Sequence, residues 1–329
     1  MSHLFAFALG LLKPYPEEWH SANDKKSLNA LQNISDNKLL DLKILRVIHD
    51  YLYAPFYFTS KDVEVDHRVI IADGVNGVTL QNPVGLCELS DGCIAIAERN
   101  GKINIFKEGV RVKTIIKTEI RRLMDICTNY NDHLLVIDDW QHESYIFERC
   151  GFYLLSFGRP VNGKYNEYIR DPRCICVNSL GQILVSNHGN DNIFLFDSDG
   201  VFMRIICKIE KPSSICVDMY DNIYVSIGRD DYIYKFSPDG AILNKFGSCD
   251  HTKDLDGFPK LLCVSRDGKY IVAADNQDGC IKVLSGLGGS FITSYGDFSF
   301  ITGCIITYDG CILVTDFNNN NVIKIRCIS

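Results

Sequence analysis

From Pro83 to its C-terminus the chain repeats itself six times, with a period of about 40 to 49 residues. The copies share one skeleton, not complete in all of them: a Pro, two β-rich runs around a turn, a polar loop, a third run and a turn glycine. The turn positions are Gly92, Asp132, Gly181, Asp221, Gly268 and Gly310. Periods of this length belong to propellers or solenoids, not to ordinary domains. The third copy is clearest. Its residues 172–181 read as a first run and turn, 182–186 as a second run and 193–196 as a third. The turn 197–200 then leads into a fourth run, 201–207. Short β-branched and aromatic runs separated by Asp-Gly or Asn-rich turns are what a four-stranded antiparallel blade requires.

The sixth copy stops at Ser329, directly after its third run. An incomplete sheet exposes an unpaired edge, and the natural donor of a fourth strand is the stretch just before the first copy. Residues 65–72, with Val69, Ile70 and Ile71 at their centre, are the expected closing strand. The expected fold is therefore all-β, a six-bladed propeller over 65–329, preceded by a helical segment over 1–64. In that segment Ser35, Asp36 and Asn37 offer an N-cap. Leu40, Ile44, Val47, Ile48, Tyr51 and Leu52 then recur at helical spacing up to Pro55, and a weaker helix is expected over 23–32. The helices are read as a lid on the ring or as a docking element. The apolar stretch 4–12 is too short to span a bilayer, so no membrane is expected.

A net charge of −7 does not suggest a protein coated for nucleic acid, and no DNA is expected. The fourteen cysteines include none before Cys87 and no C-x-x-C pair. Five of them, Cys87, Cys127, Cys176, Cys216 and Cys263, fall at one repeat position, where the sixth copy has Ile305. Positions related by the ring's pseudo-symmetry lie too far apart for disulfides, so these cysteines are read as small buried fillers between blades. A metal ring or reactive thiol is the alternative. Buried free thiols point to the cytoplasm.

The repeat resembles the NHL repeat, the blade of a six-bladed propeller family. Residues 187–196, Asn-His-Gly-Asn-Asp-Asn-Ile-Phe-Leu-Phe, match almost position for position, and residues 316–325 nearly so. Copy two departs most, with Leu123 for the Pro and Trp-Gln-His-Glu at 140–143. Copy four has Ile227 where the pattern expects Asp. The resemblance implies a mouth face built from the loops that enter each first strand and those between second and third strands. Some NHL propellers bind single-stranded RNA there. Related six-bladed rings include lyases that hold zinc with histidines and lactonases that hold a divalent ion with carboxylates and Asn. Tripartite-motif proteins of the family place RING and B-box modules ahead of the propeller, and no cysteine precedes Cys87 to build them.

On that face, the loops before copies two and three carry Lys117, Arg121, Arg122, Arg159, Lys164, Arg170 and Arg173 against Glu119, Glu167 and Asp171. Tyr165 and Tyr168 lie among them and can stack on bases. The loops of copies four to six are acidic, and a charge-split face suits a protein partner as well as RNA. Glu98, Asp138, Asp275 and Asp316 share one repeat position, where they either satisfy loop N–H groups or hold calcium. His142 and His188 fall in mouth loops and His251 in a flanking one, without ligand spacing for zinc. The expected function is a non-catalytic platform for a protein partner, with no cofactor and no metal. Arg121, Arg122, Arg159, Lys164, Tyr165, Tyr168, Arg170 and Arg173 form its binding sector. Single-stranded RNA is the alternative ligand, and a metal-dependent lyase or lactonase the second alternative.

Overall fold

A computed structural model describes residues 69–70, 79–159, 168–227, 232–247 and 261–325. The helices expected within 1–64 lie outside these, as do Lys164 and Tyr165. The chain divides into two compact units, Met1–Phe56 and Tyr57–Ser329, and every described strand belongs to the second. That unit is a six-bladed β-propeller made of six four-stranded antiparallel sheets. No α-helix occurs among the described residues, and no helix among them is long and apolar enough to cross a membrane.

Burial follows strand position within the blade. The second strands, such as Leu134–Asp138, Ile183–Asn187 and Ile312–Asp316, are buried along their whole length, because a neighbouring blade covers each face. The outer strands Val110–Ile116 and Phe202–Lys208 are largely exposed. In the sixth blade the fourth strand comes from upstream of the first. Val69–Ile70 runs antiparallel to Asn321–Ile325, with Val69 opposite Lys324 and Ile70 opposite Ile323.

Neighbouring blades are stitched through their innermost strands. The backbone N–H of Ile175 donates to Asp125 Oδ2 at 3.0 Å, that of Leu262 donates to Ser214 Oγ at 3.1 Å, and the Cys174 thiol donates to the Ile215 carbonyl at 3.2 Å. Gly85 is the counterpart of Asp125 in blade one. A Cβ there would stand 2.5 Å from Asp125 Oδ1 and 2.8 Å from the Ile126 backbone nitrogen, so the seam closes only around glycine. The repeated cysteines fill the same seams. Cys87 belongs to the buried cluster that holds Ile126, and Cys127, Cys176 and Cys216 pack against the clusters that hold Ile175, Ile215 and Leu262 of the next blade.

Copies two and four carry Asp at the turn position where the others carry Gly, and the structure supplies the reason. Asp132 and Asp221 adopt φ of 55° and 60°, a region that favours glycine. Each reaches back to a serine of the preceding blade. Ser90 donates both its backbone N–H and its hydroxyl to Asp132, and Ser179 does the same to Asp221 at 2.8 and 2.6 Å. These bonds offset the backbone strain and tie blade one to two and blade three to four.

Desolvation pushes the Asp125 carboxyl up from its ordinary 3.8 to about 6, against hydrogen bonds from Cys174, Ile175 and Ile126 that pull it down. The folded protein therefore holds this proton more tightly than the unfolded chain. Its contribution to stability is complete below about pH 4 and is lost as the pH rises through about 6. Two units correspond to about 3 kcal/mol, and the half-buried setting reduces this to about 1–2 kcal/mol. Asp125→Asn is expected to flatten the pH dependence of the urea midpoint between about pH 4.5 and 7. An unchanged slope would show that Asp125 titrates normally.

Candidate functional site

The mouth face is built on one repeated device. At the end of the second strand in every blade but the fourth, a polar side chain turns back and fastens neighbouring loop residues. Asp138 accepts from the backbone N–H groups of Arg121, Trp140 and Gln141 at 2.6, 2.8 and 3.0 Å. Asp316 accepts from Ser299 and Phe300, Glu98 from Gln81 and Asn104, and Asn187 from Arg170. All four are buried. Of the two readings open to these carboxylates, the structure supports the loop-fastening one. Blade four lacks the device. Ile227 stands there, beside a cleft lined by Ile209, Tyr234 and Ile242 with Lys208 and Lys211.

The described residues of the predicted basic sector lie on the loops of blades two and three. Arg121 and Arg170 are exposed, their backbone N–H groups pinned by Asp138 and Asn187. No described carboxylate pairs with either guanidinium. The other arginines are paired. Arg122 bonds Asp139 through Nε, Arg159 lies 2.8 Å from Glu143, and Arg173 lies 3.0 Å from Asp171. Part of the positive excess expected from the sequence is therefore neutralised by Asp139 and Glu143, two acids of the blade-two loop left out of that reading. Tyr168 is partly buried, and its carbonyl accepts from Asn190.

Two residues of the mouth face were missed in the sequence. Arg99, from blade one, donates to Met124 Sδ at 3.2 Å. Burial lowers its pKa, and repulsion from Arg122 and Arg173 adds to this against the pull of Asp139. Arg122 and Arg173, from successive blades, lie beside Asp139, and its charge also acts on Arg99. One oxygen of this buried carboxylate, Oδ2, has no hydrogen-bond partner among the described residues and stands 3.9 Å from Arg173. Trp140, 64% exposed, lies with its ring 5.3 Å from the Arg122 guanidinium. Trp140 was visible in the sequence only as a departure from the repeat, and that departure was the signal.

Two histidines lie on loops of the same blades. His142 Nδ1 accepts from the backbone N–H of Asp171 at 3.1 Å, and His188 Nδ1 lies 2.9 Å from Asp171 Oδ2. Burial lowers the His188 pKa, and Arg173 reinforces this against Asp171, so the ring is neutral at pH 7. Both histidines hold one loop to the next.

Among the described residues, one trio of ligand-type side chains comes within metal-binding reach: Asp275, Asp278 and Cys280, their atoms within 4.8 Å of one another. The ammonium of Lys282 already fills that position, 2.7 Å from Asp275 and 3.3 Å from Asp278. A cation held this way serves as the counter-ion of a buried carboxylate. Lys282→Ala is expected to lower stability by about 3 kcal/mol. The parent protein should carry no stoichiometric metal by mass spectrometry, and metal found in it would reverse the assignment.

No family model matches the sequence, and no curated protein matches it. Solved structures do resemble the fold. A streptogramin B lyase superposes with a TM-score of 0.60 at 11% identity, covering 80% of this chain and 98% of the lyase. A virginiamycin B lyase from Staphylococcus aureus gives 0.56 at 13% identity, covering 77% and 87%. A gluconolactonase from Xanthomonas campestris gives 0.63 at 14% identity, covering 84% and 98%. At these identities the likeness defines the six-bladed propeller class and nothing finer.

Proposed function

We propose that the protein is a non-catalytic interaction platform whose mouth face, over blades two and three, docks an acidic segment of a protein partner. The NHL likeness of the repeat and a cytoplasmic setting are part of this reading. The observation that carries it is the presence of two exposed guanidiniums with no described carboxylate partner, Arg121 and Arg170, and an exposed Trp140 on loops fixed by buried polar side chains. Aromatic and arginine side chains on rigid loops are the usual anchors of an interface. Charge complementarity sets the encounter rate of such a face and makes its binding depend on salt.

The test uses the full-length protein with a fluorescent oligoglutamate peptide and, in parallel, a fluorescent oligouridylate. The peptide is expected to bind and to weaken with salt. Arg121→Glu with Arg170→Glu is expected to lower its affinity at least tenfold, and Trp140→Ala severalfold. Oligonucleotide binding without peptide binding would turn the reading to single-stranded RNA. Binding of neither would overturn the platform.

A second reading, a lyase or lactonase, is favoured by one specific pair. His188, neutral and held through Nδ1 by Asp171, has the arrangement of a proton-transfer residue beside an arginine. Turnover of a lactone substrate that His188→Gln abolishes, without loss of thermal stability, would establish it.

A further inference from the structure

The seam between blades five and six breaks the packing rule of the other seams. In the four seams described above, the repeated cysteine packs in or against a cluster that holds Ile or Leu of the next blade. Between blades six and one the same pair is Ile305 and Leu86. At the fifth position Cys263 meets Cys304 instead, the Cys304 thiol pointing at Cys263 Sγ across 3.6 Å. The two residues lie on the inner strands Leu261–Val264 and Ile301–Ile306 and are 7% and 8% exposed. Cys304 is not the repeat equivalent of Cys263, since Ile305 holds that position, so the symmetry argument against disulfides does not reach this pair. No other sulfur–sulfur contact of this kind occurs among the described residues.

We propose that Cys263 and Cys304 form a modification site, an oxidisable dithiol that takes a small neutral peroxide and closes into a disulfide bolting blade five to blade six. The sulfurs need to approach by about 1.5 Å to reach bonding distance, which is within the reach of side-chain rotation. The chemistry balances with hydrogen peroxide as oxidant. One thiol gives up its proton and its sulfur attacks a peroxide oxygen. The O–O bond breaks, water leaves, and a sulfenic acid remains. The second sulfur then attacks the first, the S–O bond breaks, and the departing hydroxyl takes the second thiol's proton as another water. Two thiols are oxidised and one peroxide is reduced to two waters.

The hydrogen bond from Cys304, together with burial, holds the Cys263 thiol well above the ordinary range, so it is protonated at neutral pH. Oxidation is consequently slow. The adjacent thiol captures the sulfenic acid before a second peroxide can reach it, and burial protects the finished bond from large reductants. Blade six is the blade completed by Val69–Ile70, so the bond adds a covalent tie to a blade otherwise joined through strand pairing. Closing a loop of this length restricts the unfolded chain.

The full-length protein is treated with hydrogen peroxide, digested under non-reducing conditions and mapped by mass spectrometry. A peptide pair linking Cys263 to Cys304, two hydrogens lighter than the separate peptides, is expected. It should be accompanied by a rise in Tm of roughly 5 °C that a thiol reductant reverses. Cys263→Ser and Cys304→Ser should each abolish both effects, and Cys87→Ser should leave them intact. Oxidation of either thiol to sulfinic acid without the linked peptide would overturn the proposal, as would a Tm rise that survives both serine variants.

Discussion

Replacing Val69 and Ile70 together by proline is expected to lower the unfolding free energy by about 3 kcal/mol and to make the protein aggregate on mild heating. The two residues form the fourth strand of blade six, paired with Lys324 and Ile323. Proline removes the N–H donors of that strand and leaves Asn321–Ile325 as a free edge. A free edge is a template for pairing with another chain, so light scattering should rise with the loss of stability. Urea unfolding monitored by circular dichroism supplies the first number and scattering at about 40 °C the second. A double variant as stable and as soluble as the parent would mean that the ring does not depend on this strand.

The second large effect is expected at Asp138. Asp138→Ala removes a buried carboxylate that accepts from three backbone N–H groups, those of Arg121, Trp140 and Gln141. Each bond to a charged acceptor contributes about 1.5–3 kcal/mol, and water entering the vacated space recovers part of it. A loss of about 3–4 kcal/mol follows. Asp138→Asn keeps one oxygen toward Trp140 and Gln141 and turns an amide on the Arg121 N–H, so its loss should fall between. Both variants should also weaken peptide docking, because Arg121 and Trp140 hang from this one carboxylate. Stability equal to the parent would show that the mouth loops hold themselves.

Much of the architecture was legible because a propeller blade is a local object. The pattern Pro, strand, turn, strand, polar loop, strand is repeated within about 40 to 49 residues, and each of its hydrogen-bonded neighbours is close in sequence. Copy three shows this: strands Pro172–Val177, Ile183–Asn187, Asn192–Phe196 and Phe202–Lys208 lie where alternation and turns place them. The shared carboxylate position was legible for the same reason, since Asp138 and Asp316 act on loops within the same blade and the strand that enters it. Trp140 and Ile227 were readable only as deviations from the repeat, with nothing local to say what they do.

What connects one blade to the next was not legible. That Cys87 shares a cluster with Ile126 while Cys263 meets Cys304 depends on which residues the packing of blades brings together across some forty positions of sequence, and no local pattern carries it. Ser90 with Asp132, and Arg99 with Asp139, are likewise pairs that only the packing of blades brings together.

The amino-acid order by itself determined the number of blades, their internal strand order and which loops share a face, because hydrophobic alternation and turn chemistry act between near neighbours. Only the tertiary structure decided which charges on that face are neutralised and which remain available. Coulomb and hydrogen-bond energies depend on distances of a few ångströms between chain segments, and these exist only once the ring has closed.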